Sequence, residues 1–599
     1  MAQAPDGTRQ GASEEPRRDN FTALARAMLR SLGQSPQRPI LLALVGGLVV
    51  VVAATAAGQI RLNEWTKTFY DALSGKDVSV FLRQLAVYGV IAGGLLILNV
   101  AQMWLNLSLK LKLREALTRD LIDQWLTPRR AFLIAGAGAI GVNPDQRIDE
   151  DTRHLAELSA DLGIGLFQAA LLVVAFIGVL WGLSRDFVFH FRGASFSVPG
   201  YMVWCALLYA GIASLVSWRA GRRLIALQAT HYSRESDLRF ALVHANEHVE
   251  GFAIYRGEAE EKERLNREFS RLLVVLRSLV GVTTRLTWVT AGYGWFTIIA
   301  PIVVAAPAYF GGSLTFGGLL MAVGAFDQVQ QSLRWFVDNV GNIADWRATL
   351  FRVGGFSRAL RDVDQMGGEA SRIDCVIGAE PKLIFEELSV LTPSGAISLN
   401  ETRVEIGPGD HVLIVGAPGA GKSSLFRAIA GLWTWGAGRI ALPNDEIMFM
   451  PKRSYIPEGS LRTILAYPAP PQRFAAPEYS VALARLGLDH LVDKLDMVDH
   501  WDRELTDAEQ QALAFARLPL HRPRWLIVDS AMDSLTVRAR KAVFDLLRND
   551  LSATAFVNIT APQGDDPFYT RVLRLARDPA GKCLVYRSGD KTAASAAAH

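Results

Sequence analysis

Residues 411–432 read HVLIV, GAPGAGKS, SLFRAIAGL: an apolar run from His411 to Val415, then Gly416-Ala417-Pro418-Gly419-Ala420-Gly421-Lys422-Ser423, then Ser424 and a helical pattern to Leu432. The spacing G-x-x-x-x-G-K-S between a strand and a helix is that of a phosphate-cradling loop. Glycines let successive backbone N–H groups turn inward, the helix N-terminus adds a favourable dipole, and Lys422 brings positive charge. The stretch Gly416 to Ser424 is therefore the candidate nucleotide-binding set, with the Ser423 hydroxyl available to Mg²⁺. Downstream, Trp525-Leu526-Ile527-Val528 runs into Asp529, the pattern of a buried parallel strand that delivers a carboxylate to the same cation. ATP and Mg²⁺ are the expected ligands.

Outward from this loop, short apolar runs alternate with helical segments from Pro381 to about residue 590, the α/β pattern. Residues 362–380 read as a linker and residues 591–599 as a disordered tail. Upstream the chain changes character. Six mostly apolar runs, Ile40–Ile60, Phe81–Leu105, Ile164–Leu183, Tyr201–Trp218, Leu286–Pro307 and Leu314–Val340, each approach the roughly 20 residues that a membrane helix needs. The sixth carries Asp327, Gln328, Gln330 and Gln331, which must face protein or a water-filled path rather than lipid. The fold class is thus multidomain: a six-helix transmembrane region, residues 39–361, followed by an α/β P-loop domain.

Composition agrees. Apolar residues make up 50 % of the 599 and charged residues 20 %, with 14 Trp. Sixty-three basic residues against 59 acidic leave a net charge of +4, so no electrostatic footprint for nucleic acid stands out. Cys205, Cys375 and Cys583 form no CxxC pair and so no disulfide framework or thiolate metal site. Basic residues cluster before the first run (Arg17, Arg18, Arg26, Arg30, Arg38), after the second (Lys110, Lys112, Arg114, Arg119) and after the fourth (Arg219, Arg222, Arg223). The positive-inside rule then puts both termini in the cytosol. Phe21, Leu24, Met28 and Leu32 recur at helical spacing with Arg26 and Arg30 opposite, as in a helix lying on the inner membrane surface. The polar lead before Ile40 does not read as a secretory signal. The long charged connections, about Asn106–Gly163 and Arg219–Arg285, read as membrane helices continuing into the cytosol.

Several strings carry a resemblance: Asn63-Glu64-Trp65 with Phe69-Tyr70-Asp71-Ala72-Leu73, Asn143-Pro144-Asp145-Gln146-Arg147-Ile148 with Glu150-Asp151, Pro199 to Trp204, Glu250 to Glu258, and Ala325-Phe326-Asp327-Gln328-Val329. Together with the phosphate loop they resemble an ATP-binding cassette (ABC) transporter half-molecule, in particular the SbmA/BacA-like peptide-uptake group and ABC subfamily D, whose members carry acyl chains or cobalamin. The resemblance implies an exporter-like membrane domain, a homodimer or heterodimer with a second half-transporter, and a bacterial inner-membrane location. It also implies that the turns near Asn143–Asp151 and Asn246–Glu258 press on the cassettes.

Against that family the cassette departs in one direction. Where D-E-A-T-S-A-L-D is usual, the chain reads Asp529-Ser530-Ala531-Met532-Asp533-Ser534-Leu535-Thr536, so Ser530 replaces the glutamate that polarises water, a function typically worth about 10²–10⁴-fold. Thr560 occupies the switch-histidine position and Lys452 the usual glutamine. The signature loop reads Leu505-Thr506-Asp507-Ala508-Glu509. Asp507 would face the partner's γ-phosphate, a like-charge contact costing roughly 4 kcal/mol at about 4 Å and an effective dielectric near 20. Thr506 and Glu509 meanwhile form a capping box, so the helix itself is expected to be sound. The expected function is transport of peptides or bulky amphipathic compounds, with weak hydrolysis or pairing with a competent subunit. A proton-driven carrier with a vestigial cassette and a nucleotide-sensing membrane regulator are the alternatives.

Overall fold

The structure, a computed structural model, describes residues 26, 28, 30, 33–135, 143–185, 188–191, 194–362, 372–392, 395–562 and 567–578. The surface helix expected over Phe21 to Leu32 depends on Phe21, Leu24 and Leu32, which lie outside the described residues, as do Cys583 and the tail. The chain clusters into two units: residues up to 361 apart from 128–138, and residues 128–138 together with 362 onward.

The first unit is helical: α1 (Arg38–Ser74), α2 (Val78–Trp125), then, beyond the short α3 (Arg130–Ala135) of the other unit, α4 (Thr152–Ser184), α5 (Tyr201–Glu247), α6 (Val249–Ile254), α7 (Glu258–Phe310), α8 (Phe316–Asp338) and α9 (Val340–Asp362). A hairpin, Val188–Phe191 with Ala194–Ser197, separates α4 from α5. The 48 residues of α2 and 53 of α7 make rods of roughly 70–80 Å, more than twice the approximately 30 Å hydrocarbon core. These helices must therefore run well past the bilayer, as their charged ends require. α1, α2, α5, α7 and the Pro144–Ser184 stretch are long and apolar enough to cross a membrane.

α8 is the sixth expected span. It has the length but, with Asp327 and three glutamines, not the hydropathy, and it is the element that packs on α1, α4, α5 and α7 together. Its Leu319, Ala322, Ala325, Phe326 and Val329 join Leu172, Phe176, Tyr201 and Ala305 in one core. Two glycines bring α8 against α1: a Cβ on Gly317 would lie 2.0 Å from the Lys67 carbonyl oxygen, and one on Gly324 2.7 Å from Asn63 Oδ1. Asp71, near the end of α1, accepts hydrogen bonds from Gly317 N (2.8 Å) and Thr315 Oγ1 (2.9 Å). A carboxylate thus sits at the α8 N-terminus, where orphan N–H groups and the helix dipole favour it.

The string from Asn143 to Asp151 contains a π turn, Arg147–Asp151. Two of its residues meet α9 within the same unit: Arg147 lies 5.6 Å from the Phe356 ring, and Arg352 pairs with the buried Asp151 carboxylate (2.8–3.0 Å); two turns further on, in α4, Ser159 Oγ accepts from Trp346 Nε1 at 2.8 Å.

The second unit is built on a ten-stranded sheet: β1 (Asp374–Ile377), β2 (Leu383–Thr392), β3 (Gly395–Leu399), β4 (Arg403–Ile406), β5 (His411–Val415), β6 (Gly436–Leu442), β7 (Ile447–Met450), β8 (Trp525–Asp529), β9 (Ala555–Thr560) and β10 (Arg571–Asp578). Its order is β1-β6-β2-β3-β10-β5-β9-β8-β7, with β4 on β2. β1 falls inside the stretch expected to be linker. Its four residues at the sheet edge, Asp-Cys-Val-Ile, are too short a run for periodicity to reveal. α10 (Lys422–Ile429), α11 (Asp507–Phe515) and α12 (Val537–Asn549) belong to this unit. Leu425, Ala428 and Ile429 of α10 pack onto the sheet with Ile397, Ile414 and Trp525, and a second core joins Leu513, Phe515, Leu526, Val528 and Phe556.

Candidate nucleotide site

Four parallel strands, β5, β9, β8 and β7, lie side by side with their C-terminal ends in register: Val415 opposite Thr560, Ile559 opposite Asp529, Val528 opposite Met450. The loops after them therefore open at one edge of the sheet, the place where α/β proteins bind ligands. Those loops contain Gly416–Gly421, Ala561, Ser530 and Lys452.

The first loop is shaped by backbone bonds. Gly416 N donates to Thr560 O at 3.2 Å and Ala420 N to Ala417 O at 3.0 Å, and Ser424 N donates to Gly421 O at 2.9 Å. Gly419 (φ +78°) and Gly421 (φ +87°) take left-handed conformations, which costs glycine little. Gly421 is the N-cap of α10. Lys422 Nζ arches back over the loop and donates to Gly416 O (2.8 Å) and Ala417 O (3.1 Å). Ala417, Pro418 and Gly419 are exposed, and Lys422, Ser423 and Ser424 are half-buried. An ammonium held at the mouth of a concave run of N–H groups fits a phosphate chain, and Ser423 with Asp529 offers oxygen ligands suited to a hard cation such as Mg²⁺. Arg577 of β10, which sequence inspection did not single out, donates to Gly419 O at 3.4 Å. It lies far along the chain and in no motif.

Asp529 is 5 % exposed at the end of β8. Ser530 follows in a left-handed conformation (φ +53°), with its N–H on Ile559 O at 2.8 Å and its hydroxyl on the same oxygen at 3.4 Å. Thr560 is fully buried, and its hydroxyl donates to Asp533 at 3.0 and 3.3 Å. The turn Thr560-Ala561-Pro562 contains no imidazole. Lys452 is exposed beyond β7. The segment after it is tied down by Arg517, which donates to Tyr455 O and Ile464 O at 3.0 Å each. Burial pulls this guanidinium down to about 10, still charged at neutral pH.

The capping box forms as its spacing requires. Thr506 N donates to Glu509 Oε2 at 3.0 Å and Glu509 N to Thr506 Oγ1 at 3.4 Å, ahead of α11. The Thr506 hydrogen bonds hold the Glu509 carboxyl below its ordinary range. Asp507, the first residue of α11, is exposed.

At the opposite end of α10 sits Pro128–Ala135, part of the same unit. Arg427 lies 5.9 Å from the Phe132 ring, and a Cβ on Gly431 would fall 2.9 Å from Arg129 Nη2. Pro128–Ala135, which was not among the stretches expected to meet a cassette, is thus the piece of the membrane-region sequence that clusters with this unit.

Residues 35–310 match the family model "ABC transporter transmembrane region 2", and residues 399–533 match "ABC transporter". The class is a membrane-spanning ABC transporter, which binds ATP and carries a substrate across a membrane. More narrowly, the chain belongs to that family as a half-molecule, one ABC membrane region fused to one cassette. It is 29 % identical over 560 residues to the uncharacterized ABC transporter ATP-binding protein sll0182 of Synechocystis, covering 90 % of this chain and 81 % of the relative. To the inner membrane ABC transporter ATP-binding protein YddA of Escherichia coli it is 25 % identical, covering 86 % and 91 %. To the human lysosomal cobalamin transporter ABCD4 it is also 25 % identical, covering 85 % and 87 %. The fold matches that of a bacterial Atm1-family ABC exporter solved with ATP bound, at TM-score 0.67 and 16 % identity, covering 88 % of this chain and 91 % of that one.

Proposed function

We propose that this half-transporter sits in a bacterial inner membrane with both termini cytosolic, dimerises, and moves a peptide or other bulky amphipathic compound. Its cassette holds Mg–ATP through Gly416–Ser424, Ser423 and Asp529 and hydrolyses it slowly unless a complete subunit supplies the second half of the site. The observation that carries this reading is the strand-end geometry: an intact phosphate loop beside Asp529, followed by Ser530 with its hydroxyl turned onto Ile559 O (3.4 Å) where a proton acceptor is needed. YddA, an inner-membrane relative, supports the location, and ABCD4 makes cobalamin the rival cargo to test.

The experiment compares ATP turnover by the purified chain in lipid nanodiscs with that of Ser530→Glu, alongside uptake of labelled peptide and cobalamin into proteoliposomes. Slow turnover that rises at least about tenfold in Ser530→Glu fits the role of a general base. Ordinary transporter turnover by the wild-type chain alone would refute the degenerate-site reading.

A second reading has one observation of its own. Asp327 on α8 is half-buried, and its Oδ1 has no hydrogen-bond partner, a rare condition for an intramembrane acid and one found in proton relays. Uptake driven by an imposed pH gradient without ATP, and lost in Asp327→Asn, would favour it.

A further inference from the structure

We propose that Arg577 of β10 is the platform on which the base of the bound nucleotide stacks. The assignment rests on the reading of the site as an ATP site and adds where the far end of that ligand lies. β10 runs parallel to β5, with Arg574 opposite Val415, and then continues past the end of that strand. Its last residues therefore stand beside the phosphate loop: a Cβ on Gly416 would lie 3.3 Å from Leu575 Cβ, and Arg577 Nη1 donates to Gly419 O at 3.4 Å. Side chains alternate along a strand. Arg577 thus shares the face of Leu573 and Leu575, which pack in one core with Leu425 of α10. In the ladder with β3 it stands opposite Ile397, the residue that a Cβ on Gly421 would strike.

The order of the strands gives the ligand its direction. On the ATP reading Asp529 and Ser423 hold the cation, and a cation at such a loop bridges the β- and γ-phosphates. From β5, Asp529 lies two strands away, beyond β9, whereas β10 and β3 lie on the other side. A triphosphate whose γ end points at β8 carries its ribose and base out over β10. That side offers no ring: from Leu391 to Asp410 and from Arg571 to Asp578 the sequence contains no aromatic residue. The Arg577 guanidinium is the flat group there. It is planar, weakly hydrated and positive, and it stacks on π systems, and every base has a π face. Stacking uses the face of the guanidinium, whereas the Gly419 carbonyl is met by its N–H edge, so the tether to the loop and the contact with the base do not compete. Arg577 is exposed, and the base reaches it from solvent.

The test uses the full chain in nanodiscs at about 0.15 M salt, where charges more than roughly 8 Å apart are largely screened. Calorimetric titration gives the affinity of wild type, Arg577→Ala, Arg577→Lys, Arg577→Tyr and Lys422→Ala for two magnesium complexes: β,γ-imido-ATP, which is not cleaved, and tripolyphosphate, which has no base. Arg577→Ala is expected to weaken β,γ-imido-ATP about tenfold, the loss of one stacked base, and tripolyphosphate by less than about twofold. Arg577→Lys, which keeps the charge and loses the plane, should bind like Arg577→Ala. Arg577→Tyr, which keeps a plane and loses the charge, should recover most of the affinity. Lys422→Ala should lose both ligands. Equal losses of the two ligands in Arg577→Ala, wild-type affinity in Arg577→Ala or Arg577→Lys, or an Arg577→Tyr no tighter than Arg577→Ala overturns the assignment and leaves the ATP site standing. Should tripolyphosphate bind too weakly to titrate, the lysine and tyrosine variants decide. A wild type that binds β,γ-imido-ATP no better than Lys422→Ala overturns both.

Discussion

At the scale of residues, Gly421 and Gly419 separate two reasons for a glycine. Both have positive φ, but a Cβ on Gly421 would meet Ile397 Cδ1 at 1.9 Å, whereas one on Gly419 meets nothing within 4 Å. Gly419→Ala then costs only backbone strain, about 1 kcal/mol or roughly fivefold in affinity. Gly421→Ala adds a collision with a buried core residue of β3 and must shift the N-terminus of α10. Titration with a fluorescent ATP analogue should show Gly421→Ala weakening binding by more than about tenfold and Gly419→Ala by less. Equal losses would mean that Ile397 yields freely. The chemistry-bearing residues of this loop are contiguous, which is why they can be read directly. The Asp533–Thr560 contact spans 27 positions, and no local rule links the two.

At the scale of elements, α8 reverses an ordinary expectation. Alanine is normally favoured over glycine inside a helix by roughly 0.5–1 kcal/mol. In α8, Gly317→Ala would drive a methyl to 2.0 Å from the Lys67 carbonyl, backbone that cannot rotate away, and would push the helix off Asp71. The variant should lower the thermal midpoint of the detergent-extracted protein, while alanine at Gly292 of α7, where nothing lies within 4 Å, should leave it unchanged or raise it. Elements of this kind were partly legible beforehand. The long apolar runs announced their helices, and the T-x-x-E spacing announced the cap of α11, because both are set by neighbours within a turn or two. The polar residues of α8 announced a helix packed by protein on part of its surface, and Gln330 is indeed buried, whereas Gln331 is exposed. That Asp71 caps α8 across 246 positions, or that Asp151 is matched by Arg352, was not legible, since only the folded bundle brings those partners together. Nor was β1, an edge strand too brief for its pattern to rise above its surroundings.

At the scale of the molecule, the two units differ in solvent and in ligand. A chain with two such units is not a two-state system, and heating in nanodiscs should resolve more than one transition. Mg–ATP at about 100 times its dissociation constant stabilises what binds it by about 2.7 kcal/mol, so only the cassette transition should move upward. Lys422→Ala should abolish the shift, and calorimetry with and without nucleotide checks both. The position of Pro128–Ala135 bears on how the molecule can be taken apart. Because Arg129 and Phe132 belong to the stretch between two bilayer-crossing rods yet pack at the far end of α10, no single peptide bond severs transporter from motor. A cassette expressed from residue 362 alone would be an amputated fragment with a bare socket beside Arg427 and Gly431, and swapping motors between relatives would require grafting two pieces of chain.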